Sequence, residues 1–494
     1  MKQMSCAAAA VAPHLEGRAA ASHSRLGVVP LVLVLLTAFA GLYAVSMGVS
    51  RVLVQSLGVA VLLALGVPLT VGVLRRPETL ARPIHVFLLG CIYFLVLDMA
   101  FLREVEEFSP ETILIAETII IAFIVATLGT WYLAPLRHTP WTAALKRVDR
   151  NLTGNAYFWI ALIAFSLEYL RRLFLVGWSF SDLVHELLLS KTGGAFRRDV
   201  AGDWRVFLLP AELLFRGVTV FADRAWERGI SRVRKLMLLI VVGLQLGTFV
   251  LDGTRGTLLT VMVLPLFVRS AQFNRGVNQW LRAFVLASFL LAPVMDLMVG
   301  VRGYGWSRVS QVEQVNWNIV EAHRDDNFFW VANLVDFLRQ DRGVLAYKGP
   351  LGFIEGMKEI SWQWLIAPIP RVFWPDKPLA TDIGDETKRW NATNSIVGGL
   401  LRSGGLTLVI FGGVLFGLWL NLLEPLYQSP KNDGAAIVYA FLLLVTLSAI
   451  RSAFPWNTLP LLLTVALIVI AWRAVGFLQR QMSPQPALRS DIWR

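Results

Sequence analysis

The fold class this sequence predicts is an all-α polytopic membrane protein, with about 12 transmembrane helices and one large periplasmic loop between helices 9 and 10. Three observations carry that prediction: the apolar share of the chain, the length of its apolar runs, and the loops on which positive charge collects. Of 494 residues, 56% are hydrophobic and only 16% charged, a balance that a set of water-soluble cores does not show. A helix needs roughly 20 mostly apolar residues to cross about 30 Å of hydrocarbon. Runs of that kind lie near 26–50, 52–74, 84–102, 113–133, 155–176, 206–222, 236–251, 257–270, 283–301, 405–427, 434–454 and 458–478. The seventh and eighth are short for full crossings, and Asp252–Gly256 between them reads either as a surface turn or as a dip into the membrane, which leaves ten or eleven crossings open.

Residues 1–25 are Ala-rich and basic without the apolar core of a signal peptide, so they are expected to form a disordered cytoplasmic tail. Membrane helices 1–9 then occupy 26–301, the periplasmic loop 302–402, helices 10–12 403–480, and a second cytoplasmic tail 481–494. Alternate short loops hold the basic residues: Arg75, Arg76 and Arg82; Arg137, Lys146, Arg147 and Arg150; Arg224, Arg228, Arg232, Arg234 and Lys235; Arg269, Arg275 and Arg282. Positive charge gathers on cytoplasmic loops, which accounts for the net charge of +12 without nucleic acid and puts 302–400 on the outer side. Two cysteines, Cys6 and Cys91, are too few for a disulfide framework or a thiolate metal site.

Arginine nevertheless recurs at outward positions: Arg171, Arg172, Arg197, Arg198, Arg255, Arg302, Arg308, Arg371, Arg402 and Arg451. Guanidinium grips phosphate through two parallel hydrogen bonds, so a lipid pyrophosphate is the partner this set calls for; the plainer account is pairing with Glu168, Asp199, Asp203 and Asp252. Arg255 stands in Leu251-Asp252-Gly253-Thr254-Arg255-Gly256, where glycines permit close backbone approach to a ligand. Asp252 is then either its ion-pair partner or a carboxylate able to take a proton. Glu212 and Arg216, one helical turn apart within the sixth run, are expected to neutralise each other.

The outer segment holds Trp306, Trp317, Trp330, Trp362, Trp364, Trp374 and Trp390, which suit a small core, the membrane interface, or stacking on sugar faces. Its densest acid–base patch is Glu321-Ala322-His323-Arg324-Asp325-Asp326: a solvated turn, or a base centred on His323. No Asp-x-Asp, His-Glu-x-x-His or phosphate-cradling Gly-rich pattern occurs, which disfavours a soluble nucleotide donor.

The stretch Ala367-Pro368-Ile369-Pro370-Arg371-Val372-Phe373-Trp374-Pro375-Asp376-Lys377-Pro378 resembles the Pro-Arg-aromatic-Trp-Pro-x-Lys-Pro segment in the outer loop of Wzy-type O-antigen and exopolysaccharide repeat-unit polymerases. Gly398-Gly399-Leu400-Leu401-Arg402-Ser403-Gly404-Gly405 resembles that family's re-entry into the membrane, and Asp252–Gly256 its Arg-Gly turn. The resemblance spans most of the chain from about residue 150. It implies a multi-helix glycosyltransferase of the bacterial inner membrane, with both termini cytoplasmic, that needs no metal or other cofactor. In its reaction a sugar hydroxyl on one lipid-linked repeat unit attacks the anomeric carbon of another chain and expels undecaprenyl pyrophosphate. Arg255, Arg302, Arg308, Arg371, Arg402 and Trp374 then bind substrate, with Asp252 or His323 as base. The implied partners are the polyprenyl-pyrophosphate-linked glycan, membrane lipid and a chain-length regulator protein, with no nucleic acid. An O-antigen ligase shares this architecture, while a flippase of the same lipid-linked glycan would keep short loops and a polar cavity inside the membrane.

Overall fold

The computed structural model describes residues 30–35, 49–101, 107–134, 152–189, 209–251, 255–272, part of 278–298, 327–341, 349–366, 395–428, 432–451 and 455–482. Among these residues the regular structure is helical, with no strand. Among the described residues six helices are long and apolar enough to cross a membrane. They are α1 (Arg51–Arg75), α2 (Pro83–Phe101), α3 (Pro110–Leu133), α8 (Arg232–Leu251), α12 (Ile396–Gln428) and α13 (Asp433–Arg451). The others are α4 (Gly154–Leu175), α5 (Phe180–Leu189), α6 (Leu209–Phe215), α7 (Val218–Glu227), α9 (Arg255–Ala271), α10 (Asn327–Asp341), α11 (Gly349–Ile366) and α14 (Pro455–Met482).

Local sequence explains where these helices begin. Ser50, Ser109 and Thr153 each accept a hydrogen bond from a backbone N–H in the first turn of α1, α3 and α4. Pro83 and Pro110 open α2 and α3, where a missing N–H costs nothing. Within α2 the residues Ile92–Val96 form a π turn.

The apolar runs map unevenly onto these helices. The seventh run is not short: α8 reaches back into the basic loop as far as Arg232 and forms 20 residues of helix. Its Leu236, Leu239, Ile240 and Leu244 are exposed, as expected of a helix side that faces lipid. The sixth run is not one helix but two, α6 and α7, separated at Arg216–Gly217. The helix over the tenth run, α12, begins at Ile396, ahead of the expected re-entry at 403, and is broken at Gly404 and Gly405.

The centre of the bundle is the parallel pair α3 and α12. Gly413 and Gly417 let the two backbones touch: a Cβ on Gly417 would lie 2.6 Å from the Thr127 carbonyl oxygen, and one on Gly413 would lie 2.8 Å from that of Phe123. Small residues four apart permit such approach where lipid supplies no hydrophobic drive between helices. Phe87, Phe123 and Phe416 interlock around the crossing.

At one end of the bundle, called here the basic end, ion pairs tie together chain segments far apart in sequence. Arg82 pairs with Glu424 at 2.7 Å, both almost fully buried. Asp223 accepts from Arg224 and Arg269, while Asp433 accepts from Tyr157, Arg228 and Gln272. The expected loop arginines 82, 224 and 269 are therefore fastenings between helices and not free surface charge.

Candidate functional site opposite the basic end

Of the residues singled out from the sequence, Asp252, Arg302, Arg308, His323, Arg371 and Trp374 lie outside the described residues. Arg255 is the first residue of α9, and its side chain also lies outside them. Arg402 is described and half-buried. It stands in α12 two residues before the break, where Gly405 adopts φ 70° and ψ −165°. A residue with a Cβ is strained in that conformation, so the Gly404-Gly405 pair is what lets the chain turn sharply beside Arg402.

Two helices of the 302–402 segment pack at this place. On α11, a Cβ at Gly356 would lie 2.6 Å from the Ser403 carbonyl oxygen, so backbone rests on backbone at the break; Phe353 meets Phe411 edge to face at 5.1 Å. The outer side of α11 exposes Ile354, Trp362 and Leu365, an apolar surface suited to the membrane interface. Meanwhile α10 buries Phe328, Val331, Ala332, Val335 and Leu338 against α2, α3 and α12. Polar bonds fix it above α3: Thr112 donates to Asp336 at 3.3 Å, and Arg339 donates to Thr112 at 2.9 Å and Glu111 at 2.6 Å. The described part of the large segment is thus packed against the membrane helices α2, α3 and α12.

Below α10 lies a residue that sequence reading missed. Glu117, on α3, is 0% exposed, and neither carboxyl oxygen has a hydrogen-bond partner among the described residues. Counted at 1.5 Å per residue back from the Phe123–Gly413 contact, it lies within about one turn of the depth of the Gly404–Gly405 break. Its sequence signal was a single ionisable residue inside an apolar run, which by itself marks a functional candidate. An unpartnered buried carboxyl costs about 1–3 kcal/mol, so Glu117→Leu is expected to raise stability by an amount of that order. Thermal unfolding in detergent measures this, and a lowered midpoint would mean that Glu117 has a structural partner after all.

Arg171 and Arg172, expected from the sequence to face outward, have carboxylate partners. Glu168 accepts from Arg171 Nε and Arg172 Nε at 2.7 Å each, and Arg216 donates to Glu212 at 3.0 Å, as the one-turn spacing predicts.

The fold defines the class: an all-α protein with several helices able to cross a membrane. No family model, no curated protein and no solved structure matches the chain.

Proposed function

We propose that this protein is a glycosyltransferase that joins polyprenyl-pyrophosphate-linked oligosaccharide repeat units, as in O-antigen or exopolysaccharide synthesis. It would do so on the periplasmic face of a bacterial inner membrane, with the basic end in the cytoplasm. The observation that carries this reading is Arg402 beside a glycine break in α12, covered by a helix of the 302–402 segment. An arginine beside such a break can hold a departing pyrophosphate, and a covering segment can receive the acceptor glycan. In the reaction the acceptor oxygen bonds to the anomeric carbon, the carbon–oxygen bond to pyrophosphate breaks, and the hydroxyl proton passes to a base. Glu117 joins Asp252 and His323 as a candidate for that proton.

Deleting the protein is expected to leave single repeat units on the cell surface or on lipid. Units trapped inside the cell would instead indicate a flippase, and long chains held on the polyprenyl carrier a ligase. Arg402→Ala should lower chain growth by about 100-fold, as loss of one transition-state charge contact does. Glu117→Leu should abolish growth despite its gain in stability. Normal polymer from either variant removes that residue from the reaction.

A further inference from the structure

Buried carboxylates of this protein face arginine: Glu168 accepts from Arg171 and Arg172, Asp223 from Arg224 and Arg269, Glu424 from Arg82, and Asp433 from Arg228. Glu117 does not follow this pattern. It is 0% exposed on α3, and neither of its oxygens has a hydrogen-bond partner among the described residues. The residues one helical turn away, Ile113, Leu114, Ile120 and Ile121, have no polar side chain to offer. An ionised carboxylate left alone in such surroundings is too costly to persist, and a carboxyl there takes up a proton and becomes neutral.

The helices around Glu117 lose their regular form at its depth. On α12 this is the Gly404–Gly405 break. On α2 it is the π turn Ile92–Val96. Arg82 lies over Trp131 and Phe87 meets Phe123, so α2 and α3 run in opposite directions, and six residues on from Phe87 bring Tyr93 level with Glu117. Such π turns are frequent at functional sites. Helix α10 packs against the π turn, α3 and α12 together, and buries Val331, Ala332 and Val335 there. About a turn and a half towards the start of α3, Thr112 and Glu111 bond to Asp336 and Arg339 and fix α10 in place. The other charged groups on the helices packed here are Asp98 on α2, Arg402 on α12 and Arg51 at the start of α1. Counted from Pro110, Glu117 lies about 10 Å inside the end of α3, within the thickness of the hydrocarbon.

We infer that Glu117, roofed by α10 between the π turn of α2 and the break of α12, is a cation-binding site in the membrane core and that its occupant is a proton. A proton needs one oxygen, whereas a hard metal cation is held by roughly six, and the faces packed here are apolar: Leu95 and Val96 on α2, Leu408 on α12, Val335 on α10. The site goes beyond the glycosyl transfer proposed above and does not rest on it. It adds one condition to that reaction: a carboxyl that already holds a proton must release it before it can accept one from the acceptor hydroxyl.

The test is reaction of the full chain, purified in maltoside detergent, with the apolar reagent dicyclohexylcarbodiimide, read by mass spectrometry of the intact protein and of its peptides. A protonated carboxyl passes its proton to a carbodiimide nitrogen while its oxygen bonds to the central carbon, and the acyl group then migrates to nitrogen, so the whole reagent is retained as a stable N-acylurea. The adduct is expected on the peptide that holds Glu117, which places it without any variant. It should be lost in Glu117→Gln and kept in Glu111→Gln, which removes an exposed carboxylate of the same helix. No adduct on Glu117 in the parent, or the same adduct mass retained in Glu117→Gln, overturns the site. Equally fast reaction of Glu117 with a water-soluble cationic carbodiimide overturns its enclosure under α10. Protection by sodium chloride, but not by choline chloride at the same concentration, overturns the proton and makes sodium the occupant.

Discussion

Asp433→Ala is expected to lower the stability of the folded protein by about 3–5 kcal/mol, the usual cost of leaving buried charge uncompensated. Asp433 is 1% exposed at the start of α13. It accepts from the Tyr157 hydroxyl at 3.0 Å, Arg228 Nε at 3.0 Å and Gln272 Nε2 at 2.9 Å, and Arg224 lies at 3.8 Å. One carboxylate therefore joins α4, α7, the residue after α9, and α13. Alanine leaves Arg228 without this anion and strands the Tyr157 hydroxyl and the Gln272 amide away from water. Asparagine keeps the shape and part of the bonding, so its cost should be smaller. Scanning fluorimetry in detergent orders the three proteins; equal midpoints would show that the helices do not depend on this junction.

Gly417→Val should cost about 1–3 kcal/mol or more, because overpacking a close helix crossing forces backbone to move. The first added carbon would lie 2.6 Å from the Thr127 carbonyl oxygen and 2.7 Å from Thr130 Cβ. The flanking bond from the Asn421 amide to the Thr130 carbonyl, 3.2 Å long, fixes the same register and cannot shift without loss. Because α12 also carries Arg402 and its glycine break, separating α3 from α12 is expected to disturb the candidate site as well as the bundle. Parallel measurements of unfolding midpoint and chain growth read both effects. A valine variant with an unchanged midpoint would mean that α12 can rotate away from α3.

Much of the fold was legible in the sequence because the information is local. Hydropathy sums over neighbours, so 52–74, 84–102, 113–133 and 434–454 became α1, α2, α3 and α13 within a few residues. The Glu212–Arg216 pair was legible for the same reason, since one helical turn separates its members. What failed at the sixth run was also local in origin but tertiary in outcome: Arg216–Gly217 can sit inside a helix or break it, and Gln245, 30 residues away, caps the broken end.

The candidate site was less legible. Arg402 and its glycines were visible as a motif, but Glu117 was not, because a lone acid in an apolar run says nothing about whether a partner faces it. Arg82 looked like loop charge until Glu424, 342 residues later, proved to be its partner.

By itself the sequence determined the class, the position of most apolar helices and the excess of arginine, because burial in a bilayer follows from composition over about 20 residues. Only the tertiary structure decided which of those arginines are matched by carboxylates, that Glu117 is left without a partner among the described residues, and that α10 and α11 are packed against the membrane helices. Ion pairing and close packing depend on residues brought together from distant parts of the chain, and a charge count becomes meaningful only when the neighbours are known.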